Sequence, residues 1–348
     1  MTGAVRFGID ELRGYAAALL TAGGFRPAEA AQTADVLVWA NARGVDSHGV
    51  LRIPRYVEMV ELGLINPAAE IAVEERQGAI TRMEAARAPG ATAMIAAMRE
   101  AVGQAKEAGV SWCAVRNITH AGAVGYYALQ AAREGCIGIV MTASGPLMAY
   151  HGSRSSAVST NPIAIAVPSE NDPIVLDMST ANVALGKVMA ARDAGQSIPA
   201  DWGVDAEGHP TTDPGKVETL TPLGGPKGSG LSLMIEILTS VLVANPVIAP
   251  ALEKSGSAIM NGLAIAVQVD AFGALDHFRG EVVRLATALK GVPRAADTAT
   301  ILMPGERGFA VAVSRQADGI PLATGTVTRL AKLSEKLGVS PPQPRAGP

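Results

Sequence analysis

A chain of 348 residues is long enough to bury a large core spread over two or three lobes. Its net charge of −3, without a block of like charges, excludes a basic nucleic-acid footprint, and 38 glycines with only 4% aromatics fit close packing of helices and sheets. Its two cysteines, Cys113 and Cys136, lie in apolar strand-like runs, which excludes a disulfide framework or a cysteine metal cluster and points to buried thiols in a reducing compartment.

In chain order, Asp10 to Ala22 reads as a first helix with Asp10 as its N-cap, and Pro27 to Ala42 as a second that Gly44 terminates. No basic, apolar, then small-residue order marks a secretory signal at the start. After Gly49 a helical rhythm resumes at Leu51, Tyr56, Met59 and Val60, with Pro54 tolerated near the helix start. Ile71 to Val73 and Ala79 to Met83 are short strands around a turn at Gln77-Gly78, and Ala91 to Ala108 is a helix closed by Gly109. Val110 to Val115, Ala123 to Glu134 and Cys136 to Ala143 then form a strand, helix and strand, the helix closed by Gly135. Two further strands, Ile163 to Val167 and Ile174 to Asp177, lead to a helix over Val183 to Ala194 and a loop over Pro199 to Lys216. Leu231 to Ala251 is the longest apolar run; Glu236, Asn245, Pro246 and Pro250 interrupt it, so it is expected as a buried helix rather than a membrane span. A strand at Leu263 to Val269, a helix near Leu275 to Leu289, a turn at Pro304 to Arg307 and a last helix to Lys336 complete the chain, with a disordered Pro-rich tail over 340–348.

Chemistry collects in four places. Arg43-Gly-Val-Asp-Ser-His-Gly-Val-Leu-Arg-Ile-Pro-Arg-Tyr56 holds an imidazole, guanidinium groups and a phenol at the mouth of a helix, where Arg52, Arg55 and Tyr56 project toward the side of His48. His120 stands between a strand's carboxyl end and a helix N-terminus, a usual place for sites in α/β folds. The polar stretch from Ser144 to Pro162 is too long to be an ordinary connection. Gly224-Gly-Pro-Lys-Gly-Ser-Gly230 makes an anion cradle of backbone amides and Lys227, yet it is neither a P-loop nor a dinucleotide fingerprint. Taken singly, each has a plainer reading: His48 as a helix-entrance residue, Arg55 as a solvated charge, Asp177 as a cap of the helix after it, Glu306 as a turn acid, His151 and His209 as loop histidines.

In their joint order, Arg43 to Gly49, His120-Ala-Gly-Ala-Val-Gly-Tyr-Tyr127, Ser159-Thr-Asn-Pro162, Leu176-Asp-Met178, Thr211-Thr-Asp-Pro214, Pro222 to Gly230 and Pro304-Gly-Glu306 resemble the malate/L-lactate dehydrogenase family. That family is distinct from the Rossmann-type lactate and malate dehydrogenases and includes ureidoglycolate, sulfolactate and diketogulonate oxidoreductases and reductases of cyclic imine carboxylates; the wording around His120 and Pro222 to Gly230 is similar to the ureidoglycolate members. The resemblance implies an α/β fold with a non-Rossmann mixed-sheet nucleotide-binding domain and a helical domain formed by N- and C-terminal segments. It divides the chain into a helical segment with the substrate motif (1–70), a connecting segment (71–116), a nicotinamide-binding domain (117–230) and a C-terminal part packed on the N-terminal segment (231–339). It further implies NAD or NADP as cofactor, a small carboxylate substrate and a homodimer, while the charge balance, the interrupted apolar run, the cysteines and the missing signal lead to the expectation of no nucleic-acid or membrane partner and a cytoplasmic location.

Carried over by position, His120 matches a proton acceptor and His48 a proton donor assigned in different members, Arg52 a substrate-carboxylate ligand, and Ser47 and Tyr56 neighbouring substrate-side residues. Ser144, Asp177, Met178, Ser179, Lys227, Gly305 and Glu306 match cofactor-contacting positions. Many members read Asp-Met-Ala-Thr-Ser where this chain has Asp177-Met-Ser-Thr-Ala181, so the hydroxyl stands at the third place instead of the fifth. Hydride transfer at C2 needs a proton partner near neutral pH, which histidine supplies, and a fork that orients a carboxylate, which arginine supplies. The alternatives are an imine reductase, since one pocket holds C=O or C=N, and a silent ligand-binding relative.

Overall fold

Apolar residues at helical spacing bring the two chain ends together. The computed structural model describes residues 5–193, 195–256 and 260–345. A short strand β1 (Val5–Phe7) leads into α1 (Ile9–Ala22), α2 (Pro27–Ala42), two 3₁₀ turns at 46–48 and 50–52, and α3 (Ile53–Glu61). Gly8, not Asp10, is the N-cap of α1, and Asp10 lies in its first turn bonded to Arg13.

The chain then passes through β2 (Ala72–Gln77), β3 (Ile80–Glu84), α4 (Gly90–Ala108), β4 (Val110–Ile118), α5 (Gly125–Arg133) and β5 (Cys136–Ser144). The left-handed glycines expected after helices are found at Gly44, Gly109 and Gly135. The long polar stretch carries β6 (Met148–Ala149) and β7 (Ser156–Val158); β8 (Ile163–Val167), β9 (Ile174–Met178), α6 (Leu185–Asp193), β10 (Gly203–Val204) and β11 (Thr219–Leu220) follow. The remainder comprises α7 (Pro226–Glu236), α8 (Ile248–Leu252), β12 (Met260–Gln268), α9 (Leu275–Lys290), α10 (Glu306–Asp318), β13 (Ile320–Leu322) and α11 (Thr324–Leu337).

Seven strands form the main sheet in the order β2-β3-β4-β12-β5-β8-β9, in which only β3 and β4 run parallel. This is a mixed sheet, not a doubly wound parallel one. Strands β10, β11, β6 and β7 make a second, small sheet that packs with Val183, Val188 and Ile198. On the main sheet, α4 lays down Ala93, Met94, Ala97, Met98 and Ala101, all buried. Gly138 of β5 lets α5 dock closely, because a Cβ there would lie 2.5 Å from the Ala128 carbonyl oxygen. A separate core of Leu12, Leu19, Leu20, Leu37, Ile53, Ile320, Leu330 and Leu333 joins α1, α2 and α3 to β13 and α11, and β1 pairs antiparallel with β13. That is the helical domain made by both chain ends.

Four expectations change. Residues 231–339 do not simply pack on the N-terminal segment, because β12 inserts between β4 and β5 at the centre of the main sheet, so sheet and sequence divisions do not coincide at 230. The run from 231 to 251 is not one buried helix: α7 begins at Pro226, passes into a π-helical turn at Ile237–Val241 and stops before α8, and Met234, Ile237, Val241 and Leu242 are exposed. The last helix is two, α10 and α11, separated by Gly319 with φ +83° and by β13, whose partner lies at the other end of the chain. In the tail, the Arg345 amide donates to the Arg6 carbonyl at 2.8 Å, while 346–348 lie outside the described residues, as does Ala194 of the helix expected to Ala194.

Candidate functional site

After α2 the chain must turn sharply to present Ser47 and His48, and Asn41 holds that turn. Its side-chain amide donates to Asp46 Oδ1 at 2.7 Å and its Oδ1 accepts the Val50 amide at 2.8 Å. Only glycine fits at 49, since a Cβ there would fall 2.1 Å from Asn41 Oδ1. Arg52 Nε donates to the Ser47 carbonyl at 2.9 Å, which leaves the two terminal nitrogens of its fork for a ligand. The Ser47 hydroxyl lies 2.9 Å from His48 Nδ1.

His120 arrives from the end of β4. Asn117, three residues before it, has φ +54°, a left-handed conformation that a non-glycine residue adopts only when its surroundings hold it there. Its amide donates to Asn261 Oδ1 at 3.0 Å, its Oδ1 accepts from Asn245 at 2.9 Å, and its side-chain amide donates to Glu84. Asn261 in turn donates to Ser240 Oγ of the π-helical turn at 3.0 Å. The path of the chain into His120 therefore depends on β12 and on the end of α7.

The His48 and His120 rings stack, with centroids 5.6 Å apart and planes 17° apart. Tyr56 OH lies 2.6 Å from His120 Nδ1, and the Gly122 amide, which can only donate, points at the same nitrogen from 3.3 Å. Nδ1 of neutral His120 is thus the acceptor and Nε2 carries the proton. In both histidines Nδ1 is engaged and Nε2 is left for chemistry. Burial, then the Arg52 charge, pushes His48 down to about 4. His120 falls to about 3 through burial, the neighbouring His48 and Arg52. Both rings are neutral near pH 7, and the Tyr56 phenol is pushed above its ordinary value by burial.

Ser144, Asp177, Met178 and Ser179, all cofactor-matched, lie at the end of the main sheet to which β4 leads. Register places Ser144 beside Met260 and Met178 beside Ile163, which itself pairs with Met141 of β5. Ser144 Oγ is 2.6 Å from Ser159 Oγ, and its amide donates to Asn161 Oδ1 at 3.3 Å. Asn161 donates to the Ser232 carbonyl and Ser232 Oγ to the Ser159 carbonyl, tying this corner to α7. Asp177 is open to solvent on one side but crowded by protein on the others, and that crowding raises its carboxyl to about 6 against the Gly125 hydrogen bond and Arg43. Its Oδ2 accepts the Gly125 amide at 3.0 Å, so it caps α5, which precedes it, rather than the helix that follows. Ser179 Oγ donates to the Ala181 carbonyl at 3.3 Å.

Lys227 sits in the first turn of α7, behind Gly224 and Gly225 with φ of +57° and +63°, and forms no ion pair among the described residues. A free ammonium at the start of an 11-residue helix, with serine hydroxyls along the adjoining strand ends, fits the phosphates and sugars of a nicotinamide dinucleotide. Gly305 is left-handed at φ +92° against Val175, while Glu306 is already engaged by Lys290 and by the Met303 amide at 3.0 Å. What it offers a ligand is backbone.

Ser47, His48, Arg52, Tyr56 and His120 form one contiguous cluster. Arg55 stands apart from it: it pairs with Glu58 at 2.6 Å and is half exposed, one helical position off the site face. His151 lies against Gly225, and His209 pairs with Asp205 in its own turn. The supporting residues Asn41, Asn117, Asn245, Asn261 and Ser232 were not singled out from sequence; only the positive φ of Asn117, invisible without coordinates, marks the second of these. Among the described residues no group of His, Cys, Asp and Glu can hold a metal ion.

Comparison with known proteins gives the family and the fold. Residues 7–331 match the family model described as malate/L-lactate dehydrogenase. A malate dehydrogenase of Pyrococcus abyssi is 34% identical, with 96% of each chain covered. The NAD(+) ureidoglycolate dehydrogenase of Escherichia coli K12 is 41% identical over 224 residues, 64% of each chain. The crystal structure of malate dehydrogenase from Entamoeba histolytica superposes with a TM-score of 0.92 at 28% identity, covering 98% of this chain and 100% of the other. With the family model matched over residues 7–331 and a fold that superposes over 98% of the chain on a malate dehydrogenase, the chain belongs to the malate/L-lactate dehydrogenase family.

Proposed function

We propose that this protein is a nicotinamide-dependent oxidoreductase that interconverts a small 2-hydroxy and 2-oxo carboxylic acid, of the malate, lactate, ureidoglycolate or sulfolactate type. The observation that carries this reading is the Arg52 fork, held by the Ser47 carbonyl, beside two stacked imidazoles that each keep Nε2 free. Ser144, Asp177, Met178, Ser179, Lys227, Gly305 and Glu306 would hold NAD or NADP, which when bound would supply or accept the hydride. Arg52 takes the carboxylate in two parallel bonds and so places C2 within reach of the histidines. Tyr56 and the Gly122 amide hold the His120 ring so that Nε2–H meets the C2 oxygen and polarises a carbonyl in reduction; net transfer of a proton to the alkoxide runs from the doubly protonated ring, whose remaining proton then sits on Nδ1 toward the Tyr56 oxygen. Burial is the main cause of the depression of both imidazoles; a carboxylate bound at Arg52 offsets only the smaller part that comes from its charge and so shifts His120 upward. His48, bonded to Ser47 and adjoining the carboxylate fork, orients substrate.

The same cluster accepts C=N in place of C=O, and the relatives include a Δ1-pyrroline-2-carboxylate/Δ1-piperideine-2-carboxylate reductase of Pseudomonas putida. We further propose a cytoplasmic homodimer. Cys113 and Cys136 are free and buried, and no described helix is long and apolar enough to cross a membrane. Leu242 lines a groove of about 580 Å³ with Ile80, Val110, Trp112 and Ile265, and Met234, Ile237 and Val241 are exposed on the preceding turns of the same helical segment; this apolar surface supports pairing with a second copy. The test is a panel of 2-oxo acids and cyclic imine carboxylates assayed by nicotinamide absorbance with NADH and with NADPH. Turnover of a 2-oxo acid supports the proposal; preference for the imines selects the alternative; binding of either cofactor without any turnover leaves a silent ligand-binding protein.

A further inference from the structure

α10 has no buried residue, yet its side chains and its cap are fastened at four successive levels to one short segment of the substrate side. At its start the Gly305 carbonyl accepts Arg43 Nη2 at 3.1 Å. One turn on, Gly308 lies flush against the same guanidinium, where a Cβ would come within 2.9 Å of Nη2, and the Phe309 ring lies 3.9 Å from Arg43 Cζ. Val311 follows, packed on Gly44. Near the helix end Arg315 grips Asp46 with both terminal nitrogens, at 2.7 and 3.1 Å, and also donates to the Asn41 carbonyl. Positions 308, 311 and 315 share one helix face, and that face meets Asn41 to Asp46, immediately before Ser47 and His48.

The N-terminal cap of α10, besides holding Arg43, also meets the strand that leads to Asp177. The Val175 amide donates to the Pro304 carbonyl at 3.0 Å, and Gly305 lies so close to the Val175 backbone that a Cβ would sit 3.1 Å from its carbonyl oxygen. Val175 is two residues before Asp177 on β9. Gly305 and Arg315 are ten residues apart, so α10 spans roughly 15 Å from the proposed cofactor rim to its hold on Asp46, at about 1.5 Å per residue.

We propose that α10 couples the two halves of the site, with Arg315 as a positioning residue: by holding Asp46 it makes the Ser47–His48–Arg52 turn respond to occupancy of the Gly305–Glu306 rim, so that cofactor and carboxylate bind cooperatively. This rests on the oxidoreductase reading above. A purely structural role for Arg315 predicts a loss of melting temperature and nothing selective. Coupling predicts a selective loss instead.

The experiment measures, by calorimetry, binding of NADH alone, of oxalate alone as a carboxylate probe, and of oxalate at saturating NADH, with NADPH substituted if it binds more tightly. In the parent, NADH tightens oxalate by about 5- to 150-fold, and oxalate tightens NADH by the same factor. Arg315→Ala and Asp46→Asn each bring that factor toward one and raise KM for the substrate by on the order of ten-fold, while NADH binding alone stays within about two-fold. Arg315→Lys, which keeps the charge but loses the fork, falls between. The double variant is no worse than either single one, because both remove the same link. An unchanged coupling factor in Arg315→Ala and Asp46→Asn overturns the proposal, as does an equal weakening of NADH and oxalate binding in variants that keep the parent's melting temperature. Absence of turnover by the parent on every 2-oxo and imino acid refutes the oxidoreductase reading instead, because the oxalate titrations report coupling without catalysis.

Discussion

On the proposed substrate side of the site the working groups are side chains, drawn mostly from one stretch of 14 residues between Arg43 and Tyr56 and bonded to one another before any ligand arrives. On the proposed cofactor side they come from β5, β9, α7 and the cap of α10, and several offer mainly backbone: Asp177 is occupied with Gly125, Ser179 with Ala181, Glu306 with Lys290. The first side resembles a preset chemical device, where removing one group removes a function. The second is a shaped surface with many modest contacts, where removing one group weakens binding by degrees. Mutation should therefore give steep, specific losses on one side and shallow ones on the other.

The largest expected effect is at His120. His120→Asn lowers kcat by about 10²–10⁴-fold and removes one limb of the pH–rate profile, whereas His48→Asn raises KM and leaves that limb in place. Steady-state kinetics from pH 5 to 9, in variants first shown to bind cofactor normally, check this. Loss of the limb in His48→Asn alone reverses the ranking; its loss in both means that the stacked pair titrates as a unit.

Next comes the fork. Arg52→Lys keeps the charge but loses two parallel bonds, at a cost of about 1.5–3 kcal/mol, or roughly 10- to 150-fold in kcat/KM for a carboxylate substrate. Cofactor affinity, followed by nicotinamide fluorescence, stays at the parent value. Unaltered kinetics would remove Arg52 from the site.

Across the site the effect shrinks. Lys227→Ala weakens cofactor binding by on the order of 1 kcal/mol, about five-fold, and the difference fades as salt is raised because it is an interaction with phosphate charge. Equal affinities for parent and variant at low and high salt would return the glycine-rich turn to a structural role.

The smallest effects are on stability, and here the two sides have opposite sign. The folded histidines, near 4 and 3, lie below the ordinary 6.5, so between pH 6.5 and those values the unfolded chain binds protons that the folded one does not, and stability falls as pH drops. Asp177, raised from 3.8 to about 6, binds its proton more tightly when folded, so its contribution is lost as pH rises through that window. The double variant His48→Asn/His120→Asn should lose less melting temperature than the parent between pH 7 and pH 5. Asp177→Asn, which can still accept the Gly125 amide, should gain toward neutrality. Identical shifts in all three proteins would mean that neither side titrates as the geometry implies.

Local patterns in the sequence determined much of this. Apolar spacing marked α1, α2 and α4, left-handed glycines closed three helices, and the order of short motifs around His48, His120 and Lys227 identified the family, because each of these signals lies within a few neighbouring residues. Tertiary structure alone decided the rest. β12 enters the middle of the sheet because its partners β4 and β5 lie more than a hundred residues earlier, and no periodicity encodes a pairing over that distance. α10 and β13 were hidden inside one expected turn and helix because β13 exists only by pairing with β1 at the opposite end of the chain. The apolar run from 231 became an interrupted helix with one face in solvent, since hydrophobicity states a preference for burial and not what is available to cover it. The exclusion of Arg55, the capping of α5 by Asp177, and the hold of Tyr56 on His120 and of Arg315 on Asp46 depend on distances of a few ångströms between residues far apart in sequence, which only the folded chain sets.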